Sequence, residues 1–279
     1  EQIQKWVHDF AEAVVRPAAH EWDEKEEFPW PIVQEAAKIG LYGFDFFAQA
    51  SMGDSSGLTL PIALEELFWG DAGIGLSIFG SGLAAAGIAG TGTPEQVMEW
   101  VPQCFGDEKN VQLGAYCVSE PDAGSDVSSL KTRAVYDEAT DEWVLNGTKL
   151  WITNGSMADV AVVWAQTGEL GDAKGIRGFL VPTDTPGFSA RDQKGKLSLL
   201  ASDTSEISLQ DVRVGPEALL PKSVGLKSPL MCLTQARYGI SWGAIGAAMA
   251  CFDEALSYAK ERVMFDGPIG GKQIQQVRL

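Results

Sequence analysis

Histidine is nearly missing from this 279-residue chain, which carries only His8 and His20. A Ser-His-Asp or Cys-His hydrolase needs an imidazole that can meet its nucleophile. Both histidines fall on one N-terminal amphipathic segment, at or near its wet face, so that chemistry is set aside. Cysteine is scarce as well. Cys104, Cys117, Cys232 and Cys251 show no C-x-x-C spacing, which excludes a zinc site of ordinary pattern and predicts free, mostly buried thiols of a reducing compartment. Basic residues are few, 21 Lys and Arg against 38 Asp and Glu, and the net charge of −17 argues against nucleic acid or an anionic membrane as the main partner. Part of that charge is an ordinary solvated helix end at Glu21–Glu27. No P-loop occurs, and Gly73-Ile-Gly75 and Gly80-Ser-Gly82 sit in helical context rather than after a strand, so no dinucleotide fingerprint is supported. The chain opens without a Met or a signal-like segment and is silent on targeting. The Asn154-Gly-Ser156 sequon reads as chance.

Two stretches are poor in charge. Ala72–Gly90 holds six glycines and two serines, a poor lipid-facing surface, and Gly239–Phe252 is too short to cross a bilayer. Both read as buried helices.

What is present is a globular composition, 45% hydrophobic and 21% charged, with enough length for more than one domain. The first 110 residues have helical period. Ile3, Trp6, Val7, Phe10, Ala13 and Val14 mark a helix that Pro17 is expected to end. Pro31–Lys38 predicts a second helix stopped at Gly40, and Leu60, Leu64, Leu67 and Phe68 mark a third. Thr93-Pro-Glu-Gln96 is a capping box ahead of Val97, Trp100 and Val101. Near Val111 the period changes to 2. Strands are predicted within Leu130–Tyr136, Val160–Ala165, Ile176–Val181, Lys196–Leu200 and Glu206–Leu209, with a turn at Asp137–Asp141 and a hairpin signal at Asn146-Gly147. This spacing predicts a small barrel or sandwich. From about Leu226 a long helix is expected to reach Met264, broken by Asp266-Gly-Pro268, with another helix starting in Gly271–Leu279. The domains are placed at 1–110, 111–215 and 216–279.

Two segments carry the chemistry. Leu113-Gly-Ala-Tyr-Cys-Val-Ser-Glu-Pro-Asp-Ala-Gly-Ser-Asp126 and Leu145-Asn-Gly-Thr-Lys-Leu-Trp-Ile-Thr-Asn-Gly155 each run from an apolar strand into a polar, Gly-rich turn. Between them they offer hydroxyls, backbone donors and one large aromatic, the equipment that holds a flat electron-accepting ring. The strand end Cys117-Val-Ser119 could aim amides and a hydroxyl at the negative edge of a reduced ring, as an oxyanion hole does. Pro121–Asp126 adds donors and the Ser125 hydroxyl. Trp151 could cover a ring face, and Thr153, on the same side of the strand, could bond the hydride-accepting nitrogen. A core tryptophan and turn-capping serines are the plainer alternatives.

With Ala201-Ser-Asp-Thr204 and Ala236-Arg-Tyr-Gly239, these motifs make the chain resemble the FAD-dependent acyl-CoA dehydrogenases along its whole length. The β region and Ala236–Gly243 look most like glutaryl-CoA dehydrogenases. The resemblance implies a multi-domain α and β fold: an N-terminal all-α domain, a middle β-barrel domain and a C-terminal helical bundle, truncated here, in a homotetramer. It places Tyr116, Cys117, Val118, Ser119, Ser125, Trp151, Ile152 and Thr153 at the flavin, and Ser125 and Arg237 at the acyl-CoA. Arg262, Phe265 and Gln273 would reach the FAD of a neighbouring subunit. The implied reaction is α,β-dehydrogenation of an acyl-CoA in fatty acid β-oxidation, in the cytoplasm or the mitochondrial matrix, with electron-transferring flavoprotein as acceptor. The family's glutamate base would lie beyond Leu279, and the alternative position before the helix arginine is Ala236, so no base is named. Leu200 stands where many members have Arg, and Asp266 where Gly normally follows the Phe. Gly75 stands where glutaryl-CoA dehydrogenases carry a substrate arginine, and Ala72–Gly90 is expected to leave room for a bulky or long acyl group. Two readings stay open beside a working dehydrogenase: a non-catalytic subunit of a heteromer, and an acyl-CoA oxidase or flavin monooxygenase of the same fold.

Overall fold

The structure, a computed structural model, describes residues 1–279 apart from the side chain of Met52. Helices α1 (Gln2–Phe10) and α2 (Arg16–Lys25) are joined by one π-helical turn at Ala11–Val15. Pro17 therefore does not end the helix. It has no N–H for the carbonyl one turn back and its ring crowds that carbonyl, and the widened turn just before it absorbs the conflict. Helices α3 (Trp30–Lys38), α4 (Phe44–Ala48), α5 (Thr59–Gly70), α6 (Ala72–Phe79), α7 (Ser81–Thr91) and α8 (Pro94–Trp100) complete the N-terminal layer. The Thr93–Gln96 capping box forms as expected, and Gly40 ends α3's turn at φ 78°. Residues 72–91 are long and apolar enough to span a membrane, but Gly80 divides them and most of the segment is buried.

Seven strands form one curled sheet: β1 (Gly114–Cys117), β2 (Arg133–Asp137), β3 (Glu142–Thr153), β4 (Val160–Gln166), β5 (Ile176–Pro182), β6 (Phe188–Asp192) and β7 (Thr204–Val214). Their order is β1-β4-β2-β3-β7-β6, with β5 also on β4, and every residue of β4 is buried. Asp137–Asp141 makes the β2–β3 turn, with Asp141 at φ 58°. Asn146-Gly147 is not a hairpin. It lies inside β3, where a Cβ on Gly147 would stand 2.7 Å from Thr132 Cα, so the glycine serves close strand packing rather than a turn. Lys196–Leu200 is not a strand either. The Lys196 ammonium folds back onto the carbonyls of Leu199 and Ser202, and Leu199 sits at φ 55°, which an extended ladder cannot absorb.

Helix α9 (Lys227–Glu261) packs along α5. Gly239 and Gly243 allow the close approach, since a Cβ would lie 2.9 Å from Leu64 and 2.7 Å from Phe68. The opposite face, with Tyr238, Ile245, Met249 and Phe252, is exposed, so 239–252 is buried on one side only. The helix stops at Glu261. Val263-Met264 (β8) and Gly267-Pro268 (β9) form a tight hairpin before α10 (Gln273–Arg278).

Candidate functional site

The two motifs meet where β1 runs out and β3 bulges. The Leu150 amide donates to the Ser119 carbonyl at 2.9 Å, which sets the end of one motif beside the bulge of the other. Register slips there by one residue: Lys149 pairs with Ile207 and Ile152 with Ser205. The extra residue puts Trp151 at φ 62°, a conformation a bulky residue adopts only when its surroundings impose it. In an unbroken strand Trp151 would share the inward side of Lys149. The bulge turns it outward, 62% exposed, while Ile152 goes into the core. Thr153 is half-buried, with its methyl group beside Gly80 at the α6–α7 junction.

A buried ion pair lies beneath. Lys149 and Glu120 are both buried, and the ammonium donates to the Glu120 carboxylate at 2.8 Å, the Trp164 carbonyl at 2.6 Å and the Val118 carbonyl at 3.3 Å. Glu120 also accepts the Lys131 and Thr132 amides at 2.5 and 3.1 Å. Burial lowers the Lys149 ammonium from its usual range, against the pull of Glu120. Burial likewise raises Glu120, but the Lys149 charge and these hydrogen bonds outweigh it and hold the carboxyl below its usual range. The pair fixes Val118–Glu120 against β3. Sequence reasoning missed it: Lys149 reads as one polar position of an alternating strand, yet it lies on the inward side with Leu145, ahead of the bulge.

The remaining residues divide by position. Tyr116 turns inward to give its hydroxyl to the Pro229 carbonyl at 3.0 Å, so it faces the start of α9 and leaves its backbone in β1. Cys117 is wholly buried, its thiol pushed up to about 12 by burial, and acts as a small core residue. Val118 is buried, Ser119 half-buried and Ser125 exposed. Among the described residues no protein acceptor takes the Gly124 and Ser125 amides. Arg237 is exposed on α9. Arg262, Phe265 and Gln273 lie on the hairpin and α10 beyond the far end of α9, and Phe265 is 94% exposed at φ 62°. The chain thus gathers Ser119 and the Trp151–Thr153 bulge in one place and holds the last three residues apart, on α9's other end.

The geometry bears on three further expectations. His8 is not simply at the wet face, since it bonds the buried Glu66 at 2.7 Å and packs on Trp69. Asn154 is buried, its side chain directed at Ser81 and the Gly114 carbonyl, which leaves the sequon out of reach. Within Ala72–Gly90 the space at Gly75 is filled by Phe68, whose ring would lie 2.6 Å from an added Cβ, whereas Gly82 has nothing within 4 Å.

Family models for the acyl-CoA dehydrogenase N-terminal, middle and C-terminal domains match residues 1–108, 115–212 and 224–279. The chain belongs to the acyl-CoA dehydrogenase family. It is 34% identical to the mitochondrial short-chain specific acyl-CoA dehydrogenase of Rattus norvegicus, over 100% of this chain and 67% of that protein. A crystal structure of glutaryl-CoA dehydrogenase from Mycobacterium smegmatis shares 42% identity at a TM-score of 0.89, over 99% of this chain and 69% of that one. A second, from the same organism and in complex with FADH2, shares 38% at a TM-score of 0.88, with the same coverage. As a member of this family the chain is an oxidoreductase acting on CH-CH groups. Its fold has the family's helical N-terminal region, curled middle sheet and C-terminal helix.

Proposed function

We propose that this chain binds FAD at the Trp151 bulge and removes the α and β hydrogens of an acyl-CoA thioester. The observation that carries this reading is the bulge itself: a strained, solvent-facing indole beside half-buried Ser119 and Thr153, with unpartnered amides in the adjoining turn. That surface fits a flat ring with a polar edge. FAD, when bound, supplies the acceptor for the β hydride. Trp151 stacks on the ring, Thr153 gives its hydroxyl to the ring edge, and the Val118–Ser119 backbone meets the pyrimidine side. Ser125 and Arg237 hold the acyl-CoA. The α proton goes to a carboxylate that we place outside residues 1–279, because position 236, beside Arg237, is an alanine.

Arg262, Phe265 and Gln273 complete the flavin site of a neighbouring subunit in a homotetramer, which accounts for a bare Phe265 on a projecting hairpin. Electrons pass on to an electron-transferring flavoprotein, in the cytoplasm or the mitochondrial matrix. The rat and Mycobacterium smegmatis proteins it resembles are dehydrogenases, which favours this reading over an oxidase or a non-catalytic subunit. The test is the visible flavin spectrum of the full protein, followed without oxygen as acyl-CoAs of graded length and branching are added. Bleaching by short acyl groups first is expected, since Phe68 fills the space beside Gly75. A yellow protein that no thioester bleaches overturns the reaction, and a colourless one that takes up no FAD overturns the site.

A further inference from the structure

A cavity of about 360 Å³ lies away from the bulge, between the α2–α3 corner and the segment from Asp192 to Asp203. That is near the low end of small-ligand pockets, which run from roughly 300 to 1,000 Å³. None of the flavin or acyl-CoA residues above lines it. Its walls are the rings of Trp22, Phe28 and Trp30 with Met157 and Leu200. Its charged lining is four carboxylates, from Glu26, Glu27, Asp192 and Asp203, and the ammonium groups of Lys194 and Lys196.

Both ammonium groups are already occupied. Lys194 pairs with Asp192 at 2.7 Å and donates to the Glu26 carbonyl, while Lys196 donates to the carbonyls of Leu199 and Ser202 and to Thr204 Oγ1. Among the described residues Glu27 and Asp203 have no ion-pair partner within salt-bridge distance, and four carboxylates against two ammonium groups leave the lining net negative. Asp203 accepts only from Ser156 and Ser205, and its burial raises the carboxyl above its usual range despite those bonds.

Two more polar atoms are left over. Ser202 is 3% exposed, and its hydroxyl meets no protein partner; neither does the buried Oε1 of Gln193. Both residues line the same cavity. Buried polar groups are satisfied in more than nine cases in ten, roughly, so two orphans on residues that line one hollow mark missing hydrogen-bond partners. Carboxylates, a carbonyl oxygen and a hydroxyl are all acceptors, and aromatic faces attract positive charge.

We propose that this cavity binds a small organic cation with N–H donors, a guanidinium or an alkylammonium. Asp203 and Glu27 neutralise it, Gln193 Oε1 and Ser202 Oγ accept its protons, and the ring faces of Trp22 and Trp30 flank it. Leu200 is the residue whose replacement by arginine would carry such a group into the cavity from the chain itself.

Isothermal titration of the FAD-loaded full protein with agmatine tests this. Saturable one-to-one binding is expected, weakened about tenfold in D203N and roughly threefold in S202A, as fits a charged and a neutral hydrogen bond. Binding is expected to vanish in L200R. A blocked tripeptide carrying arginine is the second arm. Tighter binding than agmatine assigns the site to a guanidinium borne on a peptide, and weaker binding to a free one; both are the same cation site. No saturable heat up to about 10 mM from either ligand overturns the proposal. So does wild-type affinity in D203N, which settles the matter even if L200R fails to fold.

Discussion

At the residue scale, the site depends on a side chain that strand alternation would have buried. Trp151 faces outward because one extra residue enters β3, and its backbone is held in the left-handed region by the β7 pairing on either side. Since the indole packs on little of its own chain, W151A is expected to leave the melting temperature within a degree or two while weakening FAD binding roughly two- to tenfold, the range of one aromatic stacking contact. A flavin titration by fluorescence quenching reads this directly, and an unchanged affinity would remove Trp151 from the site. Lys149 behaves in the opposite way. K149M leaves the Glu120 charge buried alone and is expected to cost about 3–5 kcal/mol in urea unfolding, much of it recovered in K149M/E120Q. The pH dependence follows from the lowered Glu120 pKa. The folded value is below the unfolded one, so this stability is fully present above the ordinary glutamate range and is lost as pH falls through the lowered value. Unfolding curves from neutral pH into the acid range should show a drop in the wild type that E120Q lacks. The motif residues were legible in the sequence because hydroxyls, glycines and an aromatic cluster there. The Lys149–Glu120 pair was not, because the carboxylate that meets the inward lysine comes from a separate turn, and nothing local to β3 brings Glu120 there.

At the scale of elements, glycines decide how closely helices approach, and that is where sequence reasoning was weakest. Gly75 and Gly243 come from different helices but both make room for the Phe68 ring. Read along the chain, Ala72–Gly90 looks like open space for a substrate. In three dimensions the space at Gly75 belongs to α5. G75A is therefore expected to destabilise the fold by about 1–3 kcal/mol through overpacking, and F68L to recover part of that loss, both read as shifts in urea midpoint. Additive effects of the two substitutions would show that Phe68 does not fill the gap. The N-terminal helices, the capping box at Thr93 and the Asp137–Asp141 turn could be read from local signals, which depend on neighbours within four residues. Pro17 and Asn146-Gly147 misled because their local preferences were overridden. A π-turn absorbed the proline, and packing against Thr132 took the glycine.

At the scale of the whole molecule, the hairpin after α9 has no work to do within its own chain. Phe265 is almost bare, Arg262 and Gln273 are exposed, and none lies at the bulge that carries Trp151. One face of α9 is likewise apolar and open. If the hairpin of one subunit completes the flavin site of another, defects in the two halves complement each other. W151A homomers and F265A homomers should each hold FAD weakly, since every site carries one defect. A dimeric unit assembled from both chains has one site with both substitutions and one with neither. Unfolding and reassembling the two variants in equal amounts should then restore wild-type affinity at about one quarter of all sites, by random pairing across a two-fold interface. A flavin titration of the mixture would show a tight phase of that size beside a weak remainder. If both residues serve the FAD of their own chain, no site in the mixture is free of a defect, and the titration stays the average of the two parents.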